Sequence, residues 1–158
     1  MKVLVIGSGA REHAAAWKFT NSNRISGLYI APGNAGTADL GKNLDIDVMD
    51  NELVLKTVKE NSIDFVFIGP EIPLANGLAD TLRKNNINCF GPGEEAAQLE
   101  SSKAFSKAFM KRNHIPTADY DEFSNKETYT KFIKDLDSKV VVKKSGLAAG
   151  KGVLESED

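Results

Sequence analysis

Val3-Leu4-Val5-Ile6-Gly7-Ser8-Gly9-Ala10-Arg11-Glu12 is the stretch that decides the fold. Its first four residues are apolar without interruption, and Val3, Val5 and Ile6 are β-branched. Such a run is the pattern of a strand buried on both faces of a parallel sheet. The glycines after it allow a sharp turn, and a helical stretch follows from about Arg11 to Asn21. Strand, glycine turn and helix in that order open a βαβ unit, so Val3 to Ile6 is expected to be the first, central strand.

The same alternation continues outward from that start. A short strand is expected from Leu28 to Ala31. Asp50 can cap a helix whose buried face carries Val54, Leu55 and Val58. Phe65 to Ile68 is again wholly apolar, Leu74, Ala75, Leu78, Ala79 and Leu82 fall at helical spacing, and Asn88 to Phe90 closes the series. This rhythm predicts right-handed crossovers and an α/β fold with a doubly wound parallel sheet. Beyond about residue 94 helix dominates: Phe105, Ala108 and Phe109 share one stripe, and Tyr129, Phe132, Ile133 and Leu136 another. His114-Ile115-Pro116-Thr117 separates these helices, since proline disfavours helix in the residue before it. Val140 to Lys143 and Val153-Leu154 then read as two strands joined by the glycine-rich segment from Ser145 to Gly152.

Composition excludes several classes. The 158 residues carry 20 Lys plus Arg against 22 Asp plus Glu, a net charge of -2, with 41% hydrophobic content. That balance is neither the strong net charge of a disordered chain nor the basic excess of a nucleic-acid binder. The single Cys89 cannot make an internal disulfide, which fits a reducing compartment. After Met1-Lys2 the apolar run Val3 to Ile6 is far shorter than the ~20 residues of a membrane span. The expectation is a cytoplasmic protein of small-molecule substrates, with neither nucleic acid nor membrane as partner.

Each strand of the first unit ends in residues that allow a sharp turn: Gly7-Ser8-Gly9, Pro32-Gly33, Gly69-Pro70 and Gly91-Pro92. If the strands are parallel these turns share one edge, where ligands of open α/β sheets bind. Gly7 and Gly9 fit the opening of a dinucleotide fingerprint. Glu12, however, stands at its third glycine position, and Ala31-Pro32 occupies the place of the ribose-binding acid, so a nicotinamide dehydrogenase is disfavoured. What remains is a helix N-terminus with Arg11 beside it, suited to a phosphate or another anion. His13 reads as a structural histidine, hydrogen-bonded on the first helix turn, in preference to a ligand contact. Asn34-Ala35-Gly36-Thr37 offers an amide and a hydroxyl, or else a plain turn. Glu71 is placed either to receive a ribose hydroxyl or ammonium group or to interact with a helix dipole, and the residues alone leave both open.

Gly146-Leu147-Ala148-Ala149-Gly150-Lys151-Gly152 has the spacing G-x3-G-K, one residue short of a P-loop, and Gly152 stands where a Ser or Thr would ligate magnesium. It also lies between two strands. A glycine loop between antiparallel strands, with Lys143 ending the first and Lys151 in the loop, can fold over the phosphates of ATP. Lys103 sits in the first turn of a helix capped by Ser101 or Ser102, where its charge opposes the dipole by about 0.3 kcal/mol. A bound anion would relieve that conflict; taken alone, Lys103 reads as a solvated surface lysine.

Seven segments, in order and over nearly the whole chain, carry a resemblance: Val3 to Lys18, Ala31 to Ala38, Ile68 to Leu74, Phe90 to Pro92, Ala96 to Lys103, His114 to Thr117 and Ser145 to Val153. Together they resemble the N-terminal portion of the phosphoribosylamine-glycine ligase family, also called glycinamide ribonucleotide synthetase. The resemblance implies an ATP-grasp ligase of de novo purine biosynthesis. It would join glycine to 5-phosphoribosylamine through a glycyl acyl phosphate, yielding glycinamide ribonucleotide, ADP and phosphate. It implies a Rossmann-like pre-ATP-grasp domain over residues 1–100 and the incomplete beginning of an ATP-grasp domain over 101–158. Lys103, Lys143, Ser145, Gly146, Gly150, Lys151 and Gly152 fall at its ATP-binding positions, and Gly7, Gly9, Arg11, Glu12, Asn34 and Glu71 in the domain expected to hold phosphoribosylamine. No catalytic residue is assigned, and the ligands of the accompanying Mg2+ or Mn2+ are expected beyond Asp158.

Two residues depart from the family pattern: Ala10 replaces a common glycine and Lys144 a usual alanine. The family is also much longer, and a helix pair with a hairpin over about 58 residues buries little apolar surface alone. The expectation is therefore an N-terminal fragment, inactive by itself, or one piece of a multifunctional purine enzyme. The competing expectation is a non-catalytic phosphosugar-binding module that needs a partner chain.

Overall fold

The opening apolar run forms the body of strand β1 (Lys2–Gly7), and Val3, Leu4, Val5 and Ile6 are all fully buried. The computed structural model describes residues 1–136, 138–148 and 151–155. The chain divides into two compact units, Met1–Ala97 and Gln98–Asp158.

In the first unit β1 is followed by α1 (Ala10–Thr20), β2 (Gly27–Pro32), β3 (Lys42–Asn43), α2 (Asn51–Glu60), β4 (Phe65–Ile68), α3 (Glu71–Ala75), α4 (Leu78–Lys84) and β5 (Asn88–Phe90). The strands make one sheet in the order β3-β2-β1-β4-β5, and every neighbouring pair is parallel. Val5 lies beside Ile30 on one side and Phe67 on the other, which fixes the register around the centre. Alternate residues of β1 supply two cores. Leu4 and Ile6 join Val54, Leu55 and Val58 of α2 and Leu78 and Leu82 of α4 on one face; Val3 and Val5 join Ala16 of α1, Leu28 and Ile30 on the other. Burial on both faces is why this strand shows no polar alternation.

Local signals set the helix limits. Asp50 caps α2 as expected, its carboxylate accepting from Glu52 N and Leu53 N. The apolar spacing from Leu74 to Leu82, which reads as one helix, is divided between α3 and α4, because Gly77 between them adopts φ 76°. That left-handed conformation is cheap for glycine and ends the first helix. Phe67 stacks on Phe90 with ring centroids 5.2 Å apart, and Phe90 remains 60% exposed at the sheet edge.

The division between the units falls within α5 (Glu94–Ser101), and the second unit goes on to α6 (Lys103–Arg112), α7 (Lys126–Asp135) and an antiparallel pair, β6 (Val141–Lys143) with β7 (Val153–Glu155). Phe105 and Phe109 stack on the expected stripe of α6, and Phe123 packs its ring against Tyr129 and Phe132 of α7. No described residue from Gln98 onward is fully buried.

Candidate functional site

With all strands of the first unit parallel, their carboxyl ends share one edge. The chain leaves β1 for β2 on one side and later returns to β4 on the other, so the crevice between the ends of β1 and β4 is the topological switch point. Gly7 ends β1, and Gly69 follows β4 with its N–H donated to Ile6 O at 3.2 Å.

The side chain of Glu12, from the first turn of α1, fills the space between these glycines and is only 4% exposed. A Cβ on Gly9 would stand 2.8 Å from Glu12 Oε2, one on Gly69 2.6 Å from its Cγ, and one on Gly7 would overlap the same side chain. Three glycines thus make room for one acid. The sequence marks Glu12 as a bulky intruder where a helix should approach the strand closely. The structure corrects that picture: the close approach is relieved on the strand side, by Gly69, and the carboxylate is built into the turn.

Glu12 Oε2 accepts a hydrogen bond from Gly9 N–H at 2.8 Å, so one of the N–H groups expected to be free for an anion is taken by the protein itself. Glu12 Oε1 is buried and has no hydrogen-bond partner among the described residues. Its close charged neighbour is Arg11 Nε at 4.0 Å. Arg11, 76% exposed, reaches across to Glu71 Oε2 at 3.4 Å. Glu71 is in the first turn of α3, so the ion pair and the helix-dipole interaction coexist there. Gly7, Gly9, Arg11, Glu12 and Glu71 are therefore assembled at one crevice, with two acids facing one guanidinium. Such a surface suits a ligand that brings hydrogen-bond donors as well as an anionic group.

Asn34 belongs to the same edge but in a supporting capacity. Its Nδ2 donates to Ser8 O at 2.8 Å and its Oδ1 accepts from Thr37 N at 3.0 Å. The wholly buried Thr37 hydroxyl lies 2.9 Å from both Asn34 O and Asn43 Oδ1, and Asn43 Nδ2 donates to Asn34 O. The amide thus ties the turn after β1 to the turn after β2. Asn43 is the member the sequence does not announce, a polar residue on a two-residue strand. His13 is fixed by packing: its ring lies against Gly36, where a Cβ would stand 3.0 Å from Nδ1.

In the second unit the glycine-rich segment joins β6 to β7. Lys144 N donates to Gly152 O at 2.9 Å and Lys151 N to Ala148 O at 2.8 Å, while Gly146 and Gly152 adopt φ of 81° and 73°. Lys103 is not the free surface lysine its position suggests. Its Nζ donates to Gly146 O at 3.0 Å, and Ser145 Oγ accepts from Ala104 N at 3.4 Å, so the loop is fastened to the first turn of α6. The dipole conflict of a first-turn lysine is relieved by that carbonyl. Ser102 is the cap, accepting from Phe105 N at 3.2 Å. Lys143 and Lys151 are exposed, and the Lys144 side chain lies across from Gly152, where a Cβ would stand 3.2 Å from its own Cβ. Gly150 lies outside the described residues.

Among the described residues no group of three or more His, Cys, Asp or Glu is placed to hold a metal ion. No described helix is long and apolar enough to cross a membrane.

Residues 1–100 match the family described as phosphoribosylglycinamide synthetase, N domain, and residues 101–158 its ATP-grasp (A) domain. The chain is 51% identical over 153 residues to a phosphoribosylamine-glycine ligase of Agrobacterium fabrum, covering 97% of this chain and 36% of that protein. It is 50% identical over 156 residues to a trifunctional purine biosynthetic protein of Homo sapiens, covering 97% of this chain and 15% of that one. The crystal structure of a phosphoribosylamine-glycine ligase from Thermotoga maritima superimposes with a TM-score of 0.75 at 34% identity, over all of this chain and 36% of that one. The chain thus spans about a third or less of the length of these relatives.

Proposed function

The chain belongs to the phosphoribosylglycinamide synthetase family, and we propose that it supplies the amino-terminal part of an ATP-dependent ligase that joins glycine to 5-phosphoribosylamine. The products are glycinamide ribonucleotide, ADP and phosphate. The observation that carries this reading is the presence in one chain of a glycine-lined crevice at a sheet switch point and a lysine-fastened glycine hairpin.

In this reading the β1/β4 crevice holds the phosphorylated aminosugar. The first turn of α1 and Arg11 attract its phosphate, Glu12 and Glu71 take its donors, and Asn34 keeps the two flanking turns in register. In the second unit Lys103, Lys143 and Lys151 supply cationic charge to the phosphates of ATP, and the turns at Ser145, Gly146, Gly150 and Gly152 let backbone N–H groups approach them. All of these residues bind and orient; the reacting atoms belong to the substrates, and the remaining length of the ligase supplies whatever holds magnesium or manganese. Lys144, in place of the usual alanine, adds a further positive charge beside the loop. The lone thiol fits a cytoplasmic location, and the trifunctional relative supports further domains of purine synthesis as companions.

The test is ADP release by a polypeptide joining this chain to the rest of a ligase of this family. Release that requires both glycine and phosphoribosylamine is expected. ADP formation indifferent to either substrate, or none alongside measurable sugar-phosphate binding, would favour the phosphosugar-binding module instead.

A further inference from the structure

Asn76-Gly77 is the one Asn-Gly pair in the sequence. Asparagine is among the thermolabile residues that heat-adapted proteins avoid, and it is most labile before glycine, whose N–H is unshielded by a side chain and can attack the asparagine Cγ. In the fold the pair is the joint between α3 and α4: Asn76 is the C-cap of α3, and Gly77 turns the chain at φ 76°. Amide side chains tie this joint to the start of α2. Asn76 Nδ2 donates to Met49 O at 2.8 Å and to Asn51 Oδ1 at 3.4 Å, and Asn51 Nδ2 donates to Asn76 O at 2.8 Å. Gly77 N–H is itself committed, donating to Leu74 O at 3.0 Å, and Gly77 is buried while Asn76 is open to water.

We propose that Asn76 is a deamidation site held in check by this clamp, so that modification at Asn76 records opening of the contact between the start of α2 and the α3/α4 joint. The step forms a bond from Gly77 N to Asn76 Cγ and breaks the Cγ–Nδ2 bond; the side-chain nitrogen leaves as ammonia with the proton given up by Gly77 N–H. Water then opens the five-membered imide at either carbonyl and leaves aspartate or isoaspartate at position 76. Ring closure needs Gly77 N on the side of the Cα–C bond that carries Cβ, whereas a ψ of 6° at Asn76 turns it toward that residue's own backbone nitrogen. Swinging it across breaks the bond to Leu74 O and draws the amide from Met49 O. The product cannot restore the clamp. A carboxylate has no hydrogen to give Met49 O, and isoaspartate also lengthens the main chain at a joint shaped by the φ of Gly77. The other end of α3 carries Glu71, the partner of Arg11 at the crevice, so the modified joint belongs to an element of the proposed sugar-phosphate site.

The experiment is incubation of the chain in mildly alkaline buffer, sampled over days and read by peptide mapping with mass spectrometry for aspartate and isoaspartate at position 76. The chain unfolded in guanidinium chloride gives the unrestrained rate. The native chain should react at least about tenfold more slowly than that, and Asn51→Ala severalfold faster than the native chain. Val58→Ala removes buried methyl groups from α2 without touching the clamp, so it lowers stability as a whole and should raise the rate at Asn76 less than N51A does. Melting followed by circular dichroism puts the two variants on one scale of stability. Asn76→Asp, which copies one product, should melt below the unsubstituted chain because the bond to Met49 O is lost. A native rate equal to the unfolded one, or no reaction at Asn76 in the unfolded chain, overturns the proposal. So does an N51A chain that reacts no faster than the unsubstituted one, a rate that follows overall stability across N51A and V58A, or an N76D chain with an unchanged melting temperature.

Discussion

At Gly69 a single hydrogen atom in place of a methyl group leaves the space that Glu12 occupies. Gly69→Ala forces the acid out of its pocket and is expected to destabilise the first unit by about 1 to 3 kcal/mol in urea unfolding. In an E12A background the same change should cost much less, because the atoms it strikes are gone; an undiminished cost would show that Glu12 is not what Gly69 accommodates. Cys89 offers a separate residue-scale check. Burial pushes its thiol above the ordinary value, with Arg83 pulling it partly back and Asp80 adding to the rise. A thiol raised in the folded state favours folding below the ordinary thiol value, and that contribution is lost as pH rises through the folded one. Cys89→Ala should therefore flatten the alkaline decline of stability, measured as melting temperature from pH 7 to 10 (about the thiol range). Little of this scale was legible in advance. Arg11, Glu12 and Glu71 stand out as charged residues at turns, but the partnership of Glu12 with Gly69 joins the start of α1 to the end of β4, far apart in sequence, and no local pattern reports it.

Elements were legible where burial imposes a period. Phe65 to Ile68 and Asn88 to Phe90 occur as strands over the residues that their apolar content marks, and Asp50 caps α2 as its position predicts. Strand β3 was not legible: Lys42 and Asn43 join the sheet through backbone pairing with Tyr29 and Ile30, with no apolar side chain to signal it. The division of α3 from α4 was hidden because the apolar spacing runs through Gly77, whose φ breaks the helix without disturbing the pattern. Asp50→Ala should cost about 1 kcal/mol by unfolding, since two N–H groups of α2 lose their acceptor. Lys103→Ala removes the bond to Gly146 O, and the backbone amides of 144–148 should then exchange with solvent faster than in the unsubstituted chain. Unchanged exchange would mean that Ser145 alone fastens the loop to α6.

On the scale of the molecule, the two units differ in how much they bury. Val3 to Ile6, Val54, Val58, Val66 and Leu82 are wholly enclosed in the first unit, whereas no described residue from Gln98 onward is. A unit without an enclosed core opens easily, so amides of α6 and α7 should exchange orders of magnitude faster than those of β1 and β4. The proposed division of labour follows the same partition, with the sugar phosphate on the first unit and nucleotide on the second. Amide chemical-shift mapping by NMR of the chain titrated separately with ribose 5-phosphate and ADP tests it directly. The account predicts that ribose 5-phosphate moves Gly7, Gly9, Arg11, Glu12 and Gly69, and that ADP moves Lys103 and the segments 143–148 and 151–153. Ribose 5-phosphate shifts confined to the hairpin, or ADP shifts centred on the β1/β4 crevice, would contradict it.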